Sequence, residues 1–83
     1  MIDHESPIPL YHQVTLHLKR LIETKQYAPG DALPTEEELQ RIYGVSRATV
    51  RQAVRQLVSA GLVRLAISST HPAMRNITIR ISR

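Results

Sequence analysis

The chain of 83 residues contains no cysteine, so no disulfide framework is there to staple it and helices must supply the core themselves. No apolar run approaches the roughly 20 residues that cross a bilayer, and the amino terminus lacks a basic segment leading into an apolar stretch. The composition therefore reads as a soluble, cytoplasmic protein with no membrane partner. There is no Gly-x-Ser-x-Gly elbow, no glycine-rich phosphate loop, and no Asp or Glu in the second half that could orient a histidine. The expectation is no enzyme, no catalytic residue, no cofactor and no small-molecule ligand. His4, His12, His17 and His71 invite a metal, but His12 and His17 are five residues apart and do not share a helical face, and no Cys or carboxylate completes a set. The aromatics are three tyrosines, Tyr11, Tyr27 and Tyr43, too dispersed for a base-stacking platform and better suited to the edges of a core.

Acidic residues are missing from more than half of the chain. All seven lie before Leu39, and from there to Arg83 the charges are Arg41, Arg47, Arg51, Arg55, Arg64, Arg75, Arg80 and Arg83, a block of +8. Residues 1–38 carry Lys19, Arg20 and Lys25 against the seven acids, hence −4, so the overall +4 conceals a strong asymmetry. Every cation of the basic half is arginine, whose planar fork suits phosphate oxygens and guanine edges better than the point charge of lysine. A solvated charged face is the plain alternative; eight cations with no compensating acid favour an anionic partner.

The length allows one small domain. Residues 1–8 show no periodicity and read as a flexible tail, and residues 9–83 as the domain, with no effector-binding domain in the chain. The spacing of Leu10, Val14, Leu18, Leu21 and Ile22 predicts a first helix from about Pro9 to Lys25 with one buried stripe. Tyr27 to Asp31 is a turn. Thr35-x-x-Glu38 is a capping box with three acids in the first turn, starting a short second helix whose apolar face is Leu39, Ile42 and Tyr43, ended by Gly44. Val45 plugs the turn. Ser46 caps a third helix, Arg47 to about Ala60, burying Val50, Ala53, Val54 and Leu57 before Gly61. The period then changes to two: residues 62–67 and Ile77, Ile79 and Ile81 predict two strands in an antiparallel hairpin. Three helices, the second and third joined by a short turn, plus a two-stranded wing make a mainly α fold with a small β-hairpin, the winged helix-turn-helix.

Arg47, Arg51 and Arg55, each four apart, form a ridge opposite the apolar back of the third helix. Such a helix fits the major groove of double-stranded DNA with its first residues toward the bases. Ser46, Arg47 and Thr49 are the candidates for base edges, and Arg51 for a base or phosphate. Arg55, nearer the carboxyl end, could instead be favoured by the helix dipole. Thr35, at a helix amino terminus, could hold a backbone phosphate. His71 and Arg75 are candidates in the wing, where residues 65–76 contain no glycine. A different reading of the same ridge is a protein-interaction module that binds an acidic partner.

Pro9-Leu10-Tyr11, Pro29-Gly30-Asp31-x-Leu33-Pro34-Thr35-Glu36, Gly44-Val45-Ser46-Arg47-x-Thr49-Val50-Arg51-Gln52-Ala53, and Leu57 through Gly61-Leu62-Val63 occur in the order seen in GntR transcription regulators. Over about residues 8–64 the chain resembles the amino-terminal reader head of that family, and the Val-Arg-Gln-Ala run is similar to its HutC-like branch, whose larger members sense small metabolites. The resemblance implies a bacterial, nucleoid-associated repressor. It also implies a homodimer reading a short palindromic operator through Ser46, Arg47, Thr49 and Arg51, with a phosphate contact at the start of the second helix. The isolated head is expected to be monomeric in dilute solution and to pair on DNA. Two departures stand out: Glu37 occupies a position where family members often carry a DNA-touching arginine, and the usual glycine-containing wing tip is absent.

Overall fold

The ring of Pro9 sets φ to −55°, and with ψ at 142° this residue stands immediately before α1, Leu10–Glu23, its carbonyl accepting from the backbone N–H groups of His12 and Gln13. The computed structural model describes residues 2–67 and 77–82. Helix α1 ends two residues earlier than its periodicity predicts because Lys25 takes a left-handed φ of 62° and Gln26 N–H donates back to the Leu21 carbonyl, a reversal that the apolar pattern does not encode. Val14 and Leu18 are buried, and Leu21 and Ile22 pack against the same core at its margin.

Helix α2, Glu36–Tyr43, begins with the reciprocal capping box: Glu38 N–H donates to Thr35 Oγ1 at 3.1 Å, and Thr35 N–H donates to Glu38 Oε1 at 3.1 Å. Gly44 terminates it at φ 63°. Leu39 and Tyr43 are buried, but Ile42, expected beside them, is half exposed. An eight-residue helix makes little more than two turns, and once Leu39 and Tyr43 fill its single buried stripe Ile42 falls outside it. Helix α3, Arg47–Ser59, is capped by Ser46 and buries Val50, Ala53, Val54 and Leu57, the four residues its periodicity singles out. Beyond it Gly61, at φ 74°, lets Leu62 N–H reach the Leu57 carbonyl.

Strands β1, Val63–Ile67, and β2, Ile77–Ile81, pair antiparallel with Val63 opposite Ile81 and Leu65 opposite Ile79. Val63, Ile79 and Ile81 close the core built by the three helices. The sheet has a tie that the sequence pattern does not announce. Leu33 N–H donates to the Ile79 carbonyl, Ile81 N–H to the Asp31 carbonyl and Gly30 N–H to the Ile81 carbonyl, with Ala32 bridging Arg80. The segment between α1 and α2 thus runs along the outer edge of β2, and the Arg80 guanidinium adds a hydrogen bond to the Gly30 carbonyl at 3.0 Å. Leu33, drawn in by these bonds, is part of the core.

Residues 2–8 also make specific contacts. The Gln13 amide accepts from Asp3 N–H and donates to the carbonyls of Asp3 and Ile8, while Ile2 packs against the core. Long-range hydrogen bonds of this kind leave no periodic signature, so the segment reads as a tail in sequence.

Candidate nucleic-acid interface

Helix α3 divides its side chains by solvent access: Val50, Ala53, Val54 and Leu57 are buried, and Arg47, Ala48, Arg51, Gln52 and Arg55 are exposed. The helix dipole does not account for Arg55, because the last turn of α3 contains no basic residue. At the start of α3 the Ser46 hydroxyl accepts from Thr49 N–H at 3.2 Å and donates to Thr49 Oγ1 at 3.0 Å. The cap therefore consumes the hydrogen of Ser46 and leaves the Thr49 hydroxyl hydrogen for an outside acceptor.

Across the turn Gly44-Val45-Ser46 the first turn of α2 meets the second turn of α3, and the contact between them is an ion pair. Arg51 Nε lies 3.2 Å from Glu36 Oε2 and 3.4 Å from Oε1. The pair uses the inner nitrogen of the guanidinium, and the terminal fork is the part that a base or phosphate would meet. Glu36 reads in sequence as one of three acids in the first turn of the second helix; no periodicity relates two positions fifteen apart on different helices, so nothing in the pattern could have found this role.

Thr35 is exposed at the amino end of α2, with its hydroxyl oxygen taken up by the cap. Its bond to Glu38 holds that carboxyl below the ordinary glutamate range, the Thr35 N–H contributing most and the hydroxyl next. The next two residues, Glu36 and Glu37, occupy positions whose N–H groups have no intrahelical acceptor, as the first turn of any helix requires. Arg47, Thr49, Arg51 and Arg55 are thus gathered on α3 with Ser46 at its cap, and Thr35 caps the adjacent α2. His71 and Arg75 lie outside the described residues.

A groove of about 410 Å³ separates the outer side of α3 from the sheet, lined by Arg51, Arg55, Val58 and Leu65 among others. Elsewhere, His17 Nδ1 lies 2.6 Å from the Tyr43 hydroxyl, edge to face. Burial, with a smaller contribution from Tyr27, pushes the Tyr43 hydroxyl up to about 12. Among the described residues no three His, Cys, Asp or Glu side chains are grouped to hold a metal ion, and no helix is long and apolar enough to cross a membrane.

Residues 10–67 match the family description "Bacterial regulatory proteins, gntR family". The chain belongs to the GntR family. This GntR head is 56% identical over 50 residues to the mannosyl-D-glycerate transport/metabolism system repressor MngR of Escherichia coli, a match covering 60% of this chain and 21% of MngR. Its fold superposes on YtrA from Sulfolobus acidocaldarius, a GntR-family transcription factor, with a TM-score of 0.82 and 30% identity, over 100% of this chain and 79% of YtrA. It also superposes on AraR(DBD) in complex with operator ORX1 with a TM-score of 0.77 and 28% identity, over 99% of this chain and 95% of that one. The GntR head spans about a fifth of the length of MngR. As the DNA-binding domain of a transcription regulator it belongs to a family of binders, not of enzymes.

Proposed function

We propose that residues 9–83 form one reader head that binds a short palindromic operator as a pair of copies, in a repressor acting at the bacterial nucleoid. The observation that carries this reading is the partition of α3, with four buried apolar residues behind an exposed ridge of Arg47, Arg51 and Arg55. A helix so divided docks by its ridge in the major groove. Ser46, Arg47 and Thr49 then face base edges, Arg51 meets a base or phosphate, and Arg55 and Thr35 meet the backbone. That MngR is a repressor and that AraR(DBD) was solved on an operator support the same assignment. Pairing follows from the reading: one head touches a half-site of a few base pairs, and two on an inverted repeat supply the contacts that a single head lacks.

The test is selection of duplex DNA from a random pool, followed by salt titration of the selected sequence against a scrambled one. An inverted repeat that exceeds the scramble by ~10³-fold or more is the expected result. Salt-sensitive binding with no sequence preference would overturn it and turn attention to an acidic protein partner.

A further inference from the structure

The carbonyl of Gly44 sits at the turn that leads into Ser46 and Arg47, and it accepts a hydrogen bond from His4 Nε2 at 2.9 Å. Because the acceptor is a carbonyl, the facing ring nitrogen must carry the hydrogen, and it does so in both the neutral and the charged imidazole. The ring also lies over the glycine itself, with Cε1 and Nε2 each 3.9 Å from where a Cβ would stand.

His4 is in turn held in place. Asp3, beside it, exchanges two hydrogen bonds with the Gln13 amide of α1 at 2.8 and 2.9 Å, and the same amide donates to the Ile8 carbonyl at 2.9 Å. Asp3 Oδ1 accepts from Glu5 N–H at 3.0 Å, closing a tight turn around His4. Ile2 packs into the margin of the core. A continuous chain of contacts therefore runs from α1 through the amino-terminal segment to the turn between α2 and α3.

That turn is the joint on which the direction of α3 depends. It rests on the left-handed φ of Gly44, with Val45 N–H donating to the Gln40 carbonyl at 3.2 Å, and a glycine brings conformational freedom to the joint. We propose that His4 is a positioning residue for DNA reading: its N–H holds the Gly44 carbonyl and thereby fixes the orientation of the turn that carries Ser46 and Arg47. The proposal rests on α3 being the base-reading helix. Phosphate attraction tolerates a loosely aimed helix, whereas hydrogen bonding to base edges does not, so the clamp acts on discrimination more than on bulk affinity.

The experiment compares the parent with His4→Ala and His4→Gln, the latter offering an amide N–H at a similar reach. Amide hydrogen exchange at Val45 and Thr49 is read without DNA, and affinities are read for the selected operator and its scramble. His4→Ala is expected to speed exchange at both amides and to weaken operator binding roughly 2–10-fold, the range of one net hydrogen bond, with little change on the scramble. His4→Gln is expected to restore both readouts. Exchange and operator affinity equal to the parent in His4→Ala would overturn the proposal, as would equal losses on operator and scramble or no recovery in His4→Gln. If the parent itself failed to discriminate, the base-reading assignment would fall with the specificity role of His4, while exchange would still decide whether His4 holds the turn.

Discussion

Arg51 in the second turn of α3 is paired with Glu36 in the first turn of α2, Nε to Oε2 at 3.2 Å, and the two side chains remain 53% and 37% exposed. The ridge proposed to meet DNA is thus touched by an acid, and in that proposal Arg51 acts from within an existing partnership. At this exposure the pair stabilises the fold by no more than ~1 kcal/mol.

Glu36→Gln should therefore leave the melting temperature nearly unchanged while raising affinity for scrambled DNA and narrowing the gap between operator and scramble. A negative charge leaves the interface and the guanidinium loses its anchor. Parallel salt titrations of parent and variant on both sequences check this, and an unchanged ratio would show that Glu36 does not orient Arg51.

Arg47→Ala should cost ~1–3 kcal/mol in operator binding and relax base preference at one position of each half-site. Arg47 is exposed, so thermal stability should not follow. Repeating the DNA selection with the variant measures both effects; a variant that binds its operator as tightly as the parent would remove Arg47 from the contact set.

Leu57→Ala should lower stability by ~2–5 kcal/mol, since Leu57 is 1% exposed and packed in the core where helices and sheet meet. For a domain of this size each kcal/mol moves the melting temperature by about 4–8 °C, so calorimetry should find this variant largely unfolded well below the parent. A shift of only a few degrees would mean the core relaxes to fill the void.

The capping box predicts an acid-sensitive contribution. The Glu38 carboxyl is held below its ordinary range by Thr35 when folded, so its charged form is favoured in the native state. That stabilisation is present above the unfolded carboxylate pKa and is lost as pH falls through the lower folded value. Melting temperature against pH should fall less steeply through the acid range in Glu38→Gln than in the parent, and parallel curves would contradict the linkage.

The three helices were legible in local chemistry: apolar residues at three- and four-residue intervals in all three, and for α2 and α3 a hydroxyl cap at Thr35 and Ser46 and a glycine beyond the end at Gly44 and Gly61. The alternation of Ile77, Ile79 and Ile81 marked the second strand for the same reason, and Val50, Ala53, Val54 and Leu57 identified the buried back of α3. Ile42 departs from its spacing, because the width of the stripe a short helix buries is set by what packs against it.

What the sequence by itself determined, then, is the succession of elements and the arginine ridge on the third helix. These depend on neighbours within a turn or two, and the period of the chain reports them. Only the tertiary structure decided that Glu36 meets Arg51, that His4 reaches Gly44, and that residues 30–33 run beside β2. Each of those contacts joins segments whose separation along the chain carries no period, and each forms only where core packing brings those segments together.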